Sequence, residues 1–205
     1  MATAPATPLQ RITLLPAASI SGRLTGKPAA GIAVVATSMA DDMHNEYAEA
    51  VTDSAGRYRI SQLQGGNYTV VLGLTHEQAA TMTALAHTDV QVDKATNRDG
   101  IDFSLIDGCL ITGKIADRLT RKGLPDVLVS VESPANPEIS ATSGSRQDVV
   151  TDAEGIYRVR VPAGPAHVYL MMSPPAPGYK YTGESYTGEV KEGAKKTINF
   201  ALTRE

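Results

Sequence analysis

The sequence predicts an all-β chain folded as two tandem β-sandwiches, with one short helix in the first. Three observations predict it. Apolar and polar residues alternate with a period of two, as in Tyr58/Ile60, Tyr68/Val70/Leu72 and Val127/Val129/Val131, which is the mark of half-buried strands. Gly, Pro, Asn and Asp punctuate these runs at short intervals. The chain also repeats itself: Ile20-Ser-Gly22-Arg-Leu24 returns as Ile111-Thr-Gly113-Lys-Ile115. Val51-Thr52-Asp53-Ser-Ala-Gly56-Arg-Tyr58 likewise returns as Val150-Thr151-Asp152-Ala-Glu-Gly155-Ile-Tyr157. Thr52 and Thr151 lie 99 residues apart but Gly22 and Gly113 only 91, so the second copy carries eight extra residues between its motifs. The turn-rich stretches 118–123 and 133–145 accommodate them.

In chain order, residues 1–8 are rich in Ala, Thr and Pro and read as a disordered leader. Leu14 precedes Gly22 as Leu105 precedes Gly113, at the same offset of 91 residues. Arg11 to Leu15 therefore reads either as the closing strand of a preceding unit, in a chain cut from a longer array, or as the first strand here. Residues 1–15 are set apart on that ground, 16–106 form the first domain and 107–205 the second. The boundary falls near Asp107-Gly108, where Gly108 is the one flexible residue of a short link and a restricted hinge is expected. Thr75-His-Glu-Gln78 has the spacing of a capping box, and helix formers follow from Ala79 to His87, so a short surface helix is expected there. Pro174, Pro175 and Pro177 argue against its counterpart in the second domain. Val90/Val92 and Ile101/Phe103/Leu105 complete the first strand series, Tyr157/Val159/Val161 and Phe200/Leu202 the second.

The recurring Asp-x-x-Gly-x-Tyr reads as a structural turn. Asp53 and Asp152 accept from nearby backbone amides, Gly56 and Gly155 supply positive φ, and Tyr58 and Tyr157 lie at least partly in the core. A calcium loop would need further oxygen ligands and a terminal Glu, which neither copy has.

Composition narrows function mainly by exclusion. A chain that is 42% hydrophobic and 20% charged can bury a core, and a net charge of −3 lacks the field that non-specific nucleic-acid binding needs. Cys109 stands alone, so neither an internal disulfide nor a Cys/His zinc framework is expected. The histidines, His44, His76, His87 and His167, show no metalloprotease spacing. No nucleophile elbow, phosphate loop or dinucleotide fingerprint occurs, nor a Tyr/His pairing of the dioxygenase kind. His44 beside Asp41, Asp42 and Glu46 is the nearest approach to a metal cluster and reads as a solvated loop. The expectation is a non-enzyme without catalytic residues, cofactor or metal. No apolar run spans a membrane and the start does not resemble a signal peptide, so direct membrane insertion is not expected.

Gly22-Arg-Leu24, Pro28-Ala-Ala-Gly31-Ile-Ala-Val34, Thr52 to Tyr58 and Gly66-Asn-Tyr68-Thr-Val70 resemble the carboxypeptidase regulatory-like domain. Gly113-Lys-Ile115, Pro125-Asp-Val127-Leu-Val129 and Thr151 to Tyr157 carry the same resemblance in the second half, where Gly164-Pro-Ala166 lacks the expected Tyr. It covers the chain from about residue 16. The resemblance implies two transthyretin-like (prealbumin-like), seven-stranded Greek-key sandwiches. It also implies a non-catalytic accessory module, usually outside the cytoplasm: periplasmic, secreted or on the cell surface of a bacterium. Pro174-Pro-Ala-Pro-Gly178-Tyr179 is similar to a segment of Gram-positive adhesin domains that form Lys–Asn isopeptide bonds. Lys114 and Asn199 are the matching pair, but Met172 occupies the expected acid position and Arg23 replaces the first domain's lysine, so no crosslink is expected.

One surface remains. Val161 matches Leu63 and Gly164 matches Gly66, which turns Ala166, Val168 and Leu170 inward and His167, Tyr169 and Met171 outward. Tyr179, Tyr181 and Tyr186 follow, so four of the eight tyrosines lie between 169 and 186. These six residues are the candidate binding surface; the bland alternative is that they cover a sandwich edge or pack on the other domain. The sequence thus reads as a spacer and protein-interaction unit of a larger extracytoplasmic protein, its partner a protein or the fused domains of a longer chain. The alternative is a carbohydrate-binding module of a secreted or surface enzyme, taking polysaccharide, against which the absence of Trp counts.

Overall fold

A computed structural model describes residues 17–39, 45–135, 147–170, 177–180 and 183–205. The leader, the Arg11 to Leu15 segment, the Asp41, Asp42 and His44 loop, Met171, Met172 and Tyr181 lie outside the described residues. Among the described residues strands dominate, and the one helix is a single turn. The order begins β1 (Ala18–Thr25), β2 (Ala33–Met39), β3 (Asn45–Val51), β4 (Arg57–Leu63) and β5 (Gly66–Gly73). It continues with α1 (His76–Ala79), β6 (His87–Val92), β7 (Asn97–Arg98) and β8 (Phe103–Ser104). These strands make two sheets, β4-β1-β7 with β8 also on β1, and β3-β2-β5-β6.

The second half runs β9 (Cys109–Asp117), β10 (Leu128–Glu132), β11 (Gln147–Val150), β12 (Ile156–Val161) and β13 (Gly164–Leu170). β14 (Tyr179–Lys180), β15 (Ser185–Val190), β16 (Lys195–Thr197) and β17 (Phe200–Arg204) complete it. Its sheets are β12-β9-β17-β14, with β16 also on β9, and β11-β10-β13-β15.

Period-two patterning places one core between each pair of sheets. Ile20, Tyr58, Ile60 and Phe103 meet Val34, Ala36, Tyr68 and Val70 in the first. Ile111, Tyr157, Val159 and Leu202 meet Val129, Val131, Val168 and Leu170 in the second. The repeated motif residues are what close these cores. Asp53 Oδ1 accepts from the amides of Ala55 and Arg57, both at 2.8 Å, and Gly56 sits at φ +74°. Asp152 Oδ1 accepts from Glu154 at 3.1 Å and Ile156 at 2.8 Å, with Gly155 at φ +77°. The buried hydroxyls of Thr52 and Thr151 accept from the amides of Ile32 and Val127, each at 2.9 Å, tying the turn to the strand opposite. The buried tyrosines then reach over the opening strand of their own sheet, past Gly22 on β1 and Gly113 on β9. Tyr58 donates to the Ile101 carbonyl at 2.5 Å, and Tyr157 to the Ile198 carbonyl at 2.8 Å. Gly22 and Gly113 make room for those carbonyls: a Cβ at either position would collide with the oxygen that the tyrosine caps.

That crossing carbonyl explains one difference from the expected strands. Ile101 to Leu105 reads as a continuous closing strand, but only Phe103–Ser104, β8, is strand; Ile101 arches over Gly22 between β8 and the preceding β7. β16 and β17 are broken at Ile198 in the same way. The described residues accordingly form eight short strands in the first half and nine in the second, where the resemblance implies seven.

The helix stands where expected but differs in length and in role. Thr75 caps it through the Gln78 amide at 3.3 Å, and the Gln78 side chain returns to the Thr75 amide at 2.9 Å, so the capping box is present. The helix ends at Ala79, however, and His87 opens β6. Nor is it a free surface helix. Ala79 is fully buried in the second core, and Leu74 packs on both cores. His76 Nδ1 lies 2.8 Å from the Asp148 carbonyl, and the Ala86 amide donates to the Pro134 carbonyl at 3.0 Å. The Thr83 side chain fills the space beside Gly108, whose amide donates to Glu192 at 2.9 Å. Residues 74–86 of the first half are thus wedged against the second.

Candidate functional site

The outer face of β11-β10-β13-β15 follows from register. Glu132 pairs with His167, Ser130 with Tyr169 and with Asp148. Since Val129, Val131, Val168 and Leu170 fill the core, the intervening residues point away from it. Tyr169 Oη donates to Glu132 Oε1 at 2.8 Å and His167 Nδ1 lies 3.3 Å from Glu132 Oε2. The two rings stand 4.8 Å apart, and Ser130 donates to Asp148 at 2.6 Å. A concavity of about 260 Å3 opens beside them, lined by Glu132, Ser133, Pro134, Pro165, His167 and Thr187. It offers an imidazole, a carboxylate and apolar proline walls, a combination suited to binding through hydrogen bonds and stacking.

The other candidate residues go elsewhere. Tyr186 pairs with the core residue Val168, so it lies on the inner side of β15 and packs at the edge of the core, with the Lys196 ammonium 4.9 Å from its ring. Tyr179 also packs on the core margin and donates to Asp117 Oδ2 at 2.9 Å. Of the six candidate residues, the structure brings only His167 and Tyr169 together; Met171 and Tyr181 are outside the described residues. Glu132, which organises the pair, escaped sequence reasoning. Its signal was its place one strand over at the register of His167, which needs the pairing to be known.

Asp117 is the other concentration of charge. It is 2% exposed and accepts from the amides of Leu119 and Thr120, from Tyr179, and from Arg204 Nε at 2.8 Å. The Thr120 amide, then the Tyr179 hydroxyl and Arg204, hold its carboxyl well below the ordinary carboxylate range despite burial. Every one of its bonds is internal, so it fastens β14 and β17 to the end of β9.

A second concavity, about 440 Å3, is lined by Lys114, Arg118, Arg121, Glu184, Asn199 and Phe200. Arg118 is paired with Glu184 at 2.5 Å. Lys114 and Asn199 are both exposed, and the Asn199 side-chain oxygen accepts from the Lys114 backbone amide at 2.8 Å. Among the described residues no group of His, Cys, Asp and Glu is arranged to hold a metal ion.

No protein-family model and no curated protein matches the chain. Among solved structures it is similar to the Bacillus anthracis TIE protein, with 13% identity and a TM-score of 0.38 over 93% of this chain and 34% of that one. It is similar to a streptococcal ancillary pilin at 16% identity and a TM-score of 0.35, covering 94% of this chain and 64% of the pilin. A shaft pilin from Lactobacillus rhamnosus GG gives 9% identity and a TM-score of 0.37, covering 94% of this chain and all of that one. The chain spans about a third of the TIE protein and less than two thirds of the ancillary pilin. TM-scores this low assign neither fold family nor function.

Proposed function

We propose that the chain is a tandem pair of carboxypeptidase regulatory-like, transthyretin-like Greek-key sandwiches, residues 16–106 and 107–205. It acts as a non-catalytic spacer and protein-interaction unit of a larger extracytoplasmic protein. The motif residues support the domain reading because the same Gly, Thr, Asp and Tyr make the same bonds in both halves. The observation that carries the spacer reading is the wedge of residues 74–86, with Ala79 buried in the second core. A tether would leave two bodies free to reorient; a wedge holds a fixed separation. Small-angle scattering on the full chain and on Ala79→Asp tests this. The parent is expected to scatter as one rigid particle, and the variant to gain a longer maximum dimension and a flexible profile. Superimposable profiles would sink the rigid-spacer reading.

The concavity beside Glu132, His167 and Tyr169 favours a second reading, a carbohydrate-binding module. A glycan array on the full chain separates the two, since polysaccharide binding that His167→Ala and Tyr169→Ala abolish would displace the spacer reading.

A further inference from the structure

The joint has a receiving side, and the repeat says where a second one lies. α1 docks on β11 and β12, with His76 on the Asp148 carbonyl and Ala79 in the core behind. At the offset of 99 residues, Asp148 and Val150 match Glu49 and Val51 on β3. The register agrees: Val51 pairs with Ala33 directly after Ile32, as Val150 pairs with Leu128 directly after Val127. The amides of Ile32 and Val127 donate the same bond to the hydroxyls of Thr52 and Thr151.

The two receiving strands differ in cover. Val150, on the strand that carries α1, is half-buried, whereas Val51 is 61% exposed and Tyr47, on the same face of β3, is 56% exposed. Large apolar side chains at an open sheet edge are what a protein ordinarily avoids, because an edge strand invites pairing. Among the described residues β3 bonds to β2 alone in its sheet, so among them this edge has no further strand. Ala17 matches Gly108 at the offset of 91 residues, so the chain entering the first half stands to it as the joint stands to the second.

We propose that Tyr47, Glu49 and Val51 form the receiving surface for a preceding unit of the same kind, docked through a segment equivalent to residues 74–86. The proposal rests on the tandem-unit reading above. Its test places a further copy of residues 17–107 directly ahead of Ala17 of the described chain, which reproduces the spacing from Asp107 to Gly108. Val51→Cys in the original unit supplies a single exposed thiol, since Cys109 is fully buried and its thiol is pushed up by burial. Docking should slow alkylation of that thiol by about ten-fold or more relative to the chain without the added copy. Ala79→Asp in the added copy should restore the fast rate. An unchanged rate, with circular dichroism showing the added copy folded, overturns the proposal and leaves the tandem-unit reading standing. An added copy that contributes no sheet signal fails the tandem-unit reading and takes this proposal with it.

Discussion

At the scale of single residues, Gly113 and Tyr157 are two parts of one device, as are Gly22 and Tyr58. The glycine admits the carbonyl of the closing strand, and the tyrosine hydroxyl satisfies that buried oxygen. Tyr157→Phe keeps the ring packed but orphans the Ile198 carbonyl, and should cost about 1 kcal/mol in a urea titration. Gly113→Ala must displace backbone and should cost about 3 kcal/mol or more. Both residues stood out in the sequence because they recur; their partnership did not, since nothing in a linear motif says that the two side chains address one oxygen. Asp117 was not legible at all. Its counterpart at the 91-residue offset is Gly26, so the repeat gave no pointer to it. In the unfolded chain it takes up a proton near pH 4, in the folded chain only at lower pH. The unfolded state therefore binds more protons on acidification. The stabilisation is complete above about pH 4 and is lost progressively below it. Asp117→Asn should lower stability at neutral pH and flatten the acid limb of a stability–pH profile; an unchanged acid limb would assign that limb to Asp53, Asp152 and other carboxylates.

At the scale of elements, patterning located the inward faces of β4, β5, β10 and β12 correctly, because alternation depends only on which side chains meet the core. It failed where tertiary contact redirected the chain. Ile101 to Leu105 has the alternation of a strand yet breaks, since Ile101 must lift its carbonyl over Gly22. Residues 80–87 are helix-prone by composition, but α1 stops at Ala79, where the chain turns into the joint. A helix of one turn is too short to persist unaided, so its cap and its docking must hold it. Thr75→Ala removes the cap and should cost about 1 kcal/mol. The expected signature in hydrogen exchange is faster exchange of the Gln78 and Ala79 amides with little change in β4. Equal loss of protection throughout would mean that the joint and the first core open together.

At the scale of the whole molecule, the repeat made two cores legible, but not how they meet. The wedge depends on Ala79, a small residue indistinguishable in sequence from its neighbour Ala80; what singles it out is the surface it faces. The arrangement of terminal strands was equally hidden. In each half the opening strand lies parallel to the closing one: β1 beside β7 and β8, β9 beside β16 and β17. The chain therefore enters each half at one pole and leaves at the other. Tension applied to the two ends pulls β1 and β8, or β9 and β17, past each other along their length. The ladder between them is loaded in shear, every bond sharing the force, rather than opened one bond at a time like a zip. A string of such units transmits load through its strongest direction.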